Sequence, residues 1–130
     1  MGQRVENTAF QDSPLEISCE FNNYFGEALK ELRISRNMKQ YEAAELLKIT
    51  PAQWSVYESG KSRPNLDTII KICDFMSVSP LALLAKSLDK SKYAGTGLEL
   101  SFDEYENITS KAIEKHRRSK VEALSELISS

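Results

Sequence analysis

The chain has 130 residues, of which 41 % are hydrophobic and 28 % charged, with a net charge of −2. This describes one globular domain with tails, or at most two small ones, and excludes collagen-like and disordered chains. No apolar run approaches the roughly 18–20 residues of a membrane span. No continuous hydrophobic stretch follows the lone N-terminal Arg4, so a cytoplasmic location without a membrane partner is expected. Two cysteines, Cys19 and Cys73, and one histidine leave a zinc site, a disulfide scaffold and a Cys–His nucleophile pair without support. No metal and no cofactor are expected.

Charge is uneven along the chain. Residues 1–23 carry −3, residues 24–86 carry +2 and residues 87–130 carry −1. The middle block alone is net basic, and modestly so. Such a balance permits a nucleic-acid partner without demanding one.

Taken in chain order, residues 1–22 read as an N-terminal tail, with residues 1–14 disordered. Leu15 to Phe21 alternates apolar and polar side chains, the pattern of a half-buried strand over 15–21. Asn22 or Asn23 is placed to cap a first helix carrying Phe25, Leu29 and Leu32, which a polar break at Ser35-Arg36-Asn37 ends. Gln40 to Lys48 forms a second helix with Ala43, Ala44, Leu46 and Leu47 inward. Thr50 then caps, Pro51 takes the first helical position, Gln53 completes a capping box and Gly60 stops a third helix. Asn65 caps a fourth helix with Leu66, Ile69, Ile72, Cys73 and Met76 on one face. Ser79-Pro80 opens a fifth over Leu81–Leu84. Five short helices joined by short connections predict an all-α bundle over 23–86.

Residues 87–97, with Lys, Asp, Ser and two glycines, read as a linker. Leu98 to Phe102 alternates like a second strand. Ser101 and Glu104 then make a capping box for a last helix, so residues 98–130 form a C-terminal strand and helix. Two flanking strands would each leave a raw edge, so they are expected to pair, within one chain or across a dimer. Phe75 and Leu81 lie off the core stripe, and the last helix or a partner is expected to cover them.

The second and third helices, with the tight connection at Ile49-Thr50, form a helix-turn-helix candidate. Here the sequence resembles the Cro/C1-type (XRE) helix-turn-helix family of bacterial and phage regulators. The likeness rests on Phe25-Gly26-Glu27, Leu29 with Leu32-Arg33, Gln40, Ala44 and Leu46, and Ile49-Thr50. It continues through Tyr57-Glu58-Ser59-Gly60-Lys61 and Pro64, and spans about half of the chain. The resemblance implies a mainly α, five-helix Cro/C1 repressor-like bundle and a sequence-specific transcriptional regulator, read as a repressor, that binds double-stranded DNA. Gln40 would hydrogen-bond a phosphate, and Lys61 and Arg63 would touch the backbone of the other strand. Pro51, Ala52, Gln53, Ser55 and Val56 would face the major groove on a recognition helix over 51–59. Arg33 and Glu58 would form a structural ion pair.

The sequence departs from the family pattern at two places. Lys39 stands where a Ser or Thr cap is usual, and Pro51, Ala52 and Val56 replace polar residues that often read base edges. Site choice would then rest on thymine methyls, Ser55 and DNA shape. One helix in one groove makes few base contacts, so a homodimer is expected, with the tails as dimerisation or partner elements. The rival reading is a protein-interaction module on the same fold, an antitoxin or antiactivator with weak or lost DNA binding. An enzyme lacks a nucleophile–base pair, an acidic dyad or a phosphate loop to stand on. Trp54 is read as a core side chain with its indole N–H near the surface, and Cys73 as a small buried hydrophobe. The run from Lys115 to Lys120 is read as a solvated helix face.

Overall fold

Three helices, those that start at Pro51, Leu66 and Pro80, begin where the chain supplies a side-chain acceptor for unpaired N–H groups. Thr50 Oγ1 accepts from Gln53 N at 3.1 Å, Asn65 Oδ1 from Thr68 N at 2.8 Å, and Ser79 Oγ from Leu81 N at 3.1 Å. Proline follows Thr50 and Ser79 at the first helical position, where its missing N–H costs nothing. Gly60, at φ 81°, closes its helix in the left-handed region.

The structure, a computed structural model, describes residues 14–129, with side chains from Glu20 to Ser129. Among the described residues there are six helices and no strand: α1 Pro14–Ser35, α2 Gln40–Leu47, α3 Pro51–Ser59, α4 Leu66–Phe75, α5 Pro80–Tyr93 and α6 Phe102–Ser129. Phe25, Leu29 and Leu32 of α1 meet Trp54 of α3, Ile72 of α4 and Leu83 of α5 in one buried core. At Gly26 a Cβ would lie 2.5 Å from the Glu58 carbonyl oxygen, so only glycine lets α1 and α3 approach this closely.

Both expected strands are absent. Segment 15–21 is the first part of α1, which opens at Pro14 and runs through Asn22 and Asn23 without a cap at either. A helix satisfies its backbone groups internally, whereas a lone strand there would have had no described neighbour to pair with. The expectation of disorder over residues 1–14 lies, Pro14 apart, outside the described residues. At the second segment, Leu98–Ser101 is a loop whose Leu100 N–H donates to Asp89 Oδ2 at 2.8 Å. Ser101 and Glu104 do exchange the two bonds of a capping box, at 3.1 and 3.2 Å, and open α6.

The expected linker is also shorter than read, because α5 continues to Tyr93 and buries Ser87, Asp89 and Lys90. Its charges are neutralised by partners distant in sequence. Lys86 Nζ lies 2.7 Å from Glu99 Oε1 and 2.5 Å from the Leu100 carbonyl oxygen, and Lys90 Nζ pairs with both Glu31 and Glu99. This cluster fastens α1, α5 and the loop before α6. Leu46 and Leu66, expected inward, are exposed. Phe102 and Tyr105 seat the start of α6 on the core, and Glu106 accepts from Ser79 N at 2.7 Å. Phe75 and Leu81 nevertheless stay 48 % and 56 % exposed, since α6 lies on another side of α5.

Candidate nucleic-acid interface

Glu58, near the end of α3, is the centre of the site's scaffold. Its two carboxylate oxygens accept from Arg33 Nε at 2.5 Å and Arg33 Nη2 at 3.1 Å, a forked pairing between α1 and α3. Gln40 Nε2 donates to the same carboxylate at 2.9 Å, and Trp54 Nε1 at 2.5 Å. Arg33 Nη1 also donates to the Met38 carbonyl oxygen at 2.8 Å, fixing the turn into α2. Burial pushes the Glu58 carboxyl upward, but the bonds from Arg33, Gln40 and Trp54, with the Arg33 charge, outweigh it and hold the group below its ordinary range. One carboxylate thus joins α1, α2 and α3.

The Arg33–Glu58 pair expected from the sequence is therefore present. The indole N–H of Trp54 is inside the hub and not near the surface, because the whole side chain is buried. The Trp54–Glu58 and Gln40–Glu58 bonds went unread. The four-residue spacing of Trp54 and Glu58 on one helix, beside an already inferred carboxylate, was the available signal.

With its inner side anchored, α3 turns a short face outward. Pro51, Ala52 and Ser55 are exposed and Gln53 and Val56 half-buried. Thr50 receives the Gln53 backbone N–H, as the capping box requires of its first half. The α2 start lacks a side-chain acceptor at Lys39, whose ammonium has only donors, but Glu42 Oε1 accepts from Lys39 N at 2.8 Å. Gln40 stands at the first position of α2 with one of its two amide N–H groups held by Glu58.

Lys61 and Arg63 follow Gly60 in an exposed loop. Arg63 Nη1 donates to Asn22 Oδ1 at 3.0 Å, and its guanidinium lies 5.9 Å from the centre of the Phe21 ring. The last residue of the segment read as strand, Phe21, therefore supplies part of the support for this arginine from within α1, and Asn22 supplies the rest.

The model of the helix-turn-helix family matches residues 29–83. Those residues are a helix-turn-helix domain. The chain is 40 % identical over 60 residues to YonR, a prophage-derived HTH-type transcriptional regulator of Bacillus subtilis (strain 168), covering 46 % of this chain and 56 % of that protein. It is 38 % identical over 61 residues to BcrR, an HTH-type transcriptional activator of Enterococcus faecalis, covering 47 % of this chain and 30 % of that one. The likeness thus spans about half, or less, of these curated relatives. The crystal structure of the clp gene regulator ClgR from C. glutamicum has the same fold, with a TM-score of 0.50 at 20 % identity. It aligns over 52 % of this chain and 88 % of that one. Among the described residues no single helix is long and apolar enough to cross a membrane.

Proposed function

We propose that this chain is a sequence-specific, double-stranded DNA-binding transcriptional regulator that places α3 in the major groove. The observation that carries the reading is the Glu58 hub. It buries one side of α3 and holds the Gln40 amide at the start of α2, leaving Pro51, Ala52 and Ser55 exposed and Val56 half-exposed beside them. Gln40 keeps a second N–H for a phosphate oxygen, while Lys61 and Arg63 supply charge at the other end of α3. Base reading falls to Ser55 and to the methyl groups of Ala52 and Val56, which favours A·T-rich sites read through thymine methyls and groove shape. Repression by occupancy of the site is the proposed output, and a homodimer the working form, because two recognition helices double a small set of base contacts.

Selection of bound fragments from random duplex DNA, followed by binding at two salt concentrations, tests this. Lys61→Ala should weaken binding to every duplex alike and make the salt slope shallower by about one unit. A bulky residue at Ser55 or Val56 should cost about 1–3 kcal/mol on the selected site and little on random duplex. If the parent binds no duplex at low salt, the DNA reading falls and a protein-interaction module on the same fold replaces it.

A further inference from the structure

Asn22 and Asn23 stand where a helix cap is expected, and neither caps. α1 runs unbroken from Pro14 to Ser35, so both lie about two turns inside it. Asparagine is a poor helix former at an interior position, because its amide competes for backbone groups. Both lie against the loop that follows α3. Asn22 Oδ1 accepts from Arg63 Nη1 at 3.0 Å. Gly60 is so near Asn23 that a Cβ there would come 2.8 Å from the Asn23 Cα.

Arg63 is held from a second direction. Its guanidinium carbon lies 5.9 Å from the centre of the Phe21 ring, and that centre lies 6.4 Å from the ring centre of fully buried Phe25. The core thus reaches the arginine through two aromatic rings. Pro64, the next residue, is buried and fixes the backbone beyond it. Of the five N–H donors of a guanidinium, Asn22 takes one. Among the described residues the other four have no acceptor, and Arg63 joins no ion pair. The partner is neutral, so it fixes the group without cancelling its charge, as an aspartate would. Lys61 has no such hold; among the described residues only its backbone N–H donates, to Ser59 Oγ at 3.4 Å.

We propose that Asn22 is a positioning residue for DNA binding, which holds Arg63 so that the unbonded edge of its guanidinium meets a phosphate oxygen. This rests on the DNA reading above and adds to it a residue that itself touches no DNA. A long side chain held in advance loses less rotamer freedom on binding than a free one. The gain is about two- to tenfold in affinity.

A double-mutant cycle on the full chain tests it, with Asn22→Ala, Arg63→Ala and the two together. Each is measured on the duplex selected by the parent, at several salt concentrations. Arg63→Ala should weaken binding and make the salt slope shallower by about one unit, because a cation is lost. Asn22→Ala should weaken binding by about two- to tenfold with the slope unchanged, since no charge is removed. In the Arg63→Ala background the same change should have no effect. Alanine is the better helix former, so the urea midpoint of Asn22→Ala should stay at or above the parent's while its affinity falls. A role confined to holding the fold would lower the two together. Equal losses from Asn22→Ala in both backgrounds mean that Asn22 acts without Arg63, and no loss in either means that their bond is idle. Arg63→Ala binding as the parent does leaves nothing to position. Each of these three overturns the proposal and keeps the DNA reading, because the parent still binds. A parent that selects no duplex overturns both.

Discussion

Among the described residues, two ionic clusters with buried members solve one problem differently. At Glu58 a single carboxylate takes bonds from three side chains, all inside the helix-turn-helix domain. At the other end, Lys86 and Lys90 share Glu31 and Glu99, and the partners include the loop leading to α6. The first cluster has one acceptor for many donors, so its loss strands every donor together. The second is redundant, because each carboxylate keeps a lysine when the other lysine is lost. Removing one partner of a buried ion pair costs most where the other partner is left unpaired, and the two arrangements should therefore fail unequally.

The sharpest way to break this comparison is Glu58→Ala. It leaves Arg33 without its charge partner in a buried site, and the Gln40 amide and the Trp54 indole N–H without an acceptor. The expected loss is about 3–5 kcal/mol, read from urea denaturation of the full chain. Glu58→Gln should recover part of it by restoring an acceptor for one donor. Lys86→Met should be much milder, about 1–2 kcal/mol, since Lys90 still pairs with Glu31 and Glu99 and the methionine refills the apolar stem. If Lys86→Met costs as much as Glu58→Ala, redundancy is not what distinguishes the clusters.

Acid should separate them least. Glu58 is held low despite burial, by its hydrogen bonds and the Arg33 charge, and Glu99 is held low chiefly by its bond from Lys86. A depressed carboxyl contributes stability that is present above its unfolded pKa and lost as pH falls through the folded one. Both clusters should therefore hold near neutrality and weaken below the ordinary glutamate value of about 4.3. The urea midpoint of Glu58→Gln, followed from pH 7 downward, should fall less steeply than that of the parent. Parallel curves would remove Glu58 from the acid response.

What could be read in the sequence divides along the same line. The caps at Thr50, Asn65 and Ser79, the stop at Gly60 and the Arg33–Glu58 pair were legible. Local chemistry fixes the first four, and a motif with family-wide spacing marks the last. The alternation at Leu15–Phe21 misled, because a period of two over seven residues does not decide between strand and helix when a longer helix can absorb the segment. The second half of α5 was missed for another reason. Lys86, Asp89 and Lys90 look like solvent-exposed residues until Glu31 and Glu99 are brought to them, and those partners lie far along the chain. On α3 the exposure of Pro51, Ala52 and Ser55 was legible, whereas Gln53 and Val56 are half-buried and the tie from Gln40 to Glu58 needed three-dimensional contact to appear.

That tie divides the labour of α3 between positions that can drift and positions that cannot. Glu58 and Trp54 face inward and hold three helices, so substitutions there should unfold the domain before they could change what it binds. Pro51, Ala52 and Ser55 face outward, where replacements usually shift stability by no more than about 0.5 kcal/mol. On the proposed reading, a lineage carrying this domain could exchange one operator for another through two or three surface codons. The scaffold that aims them would be inherited unchanged.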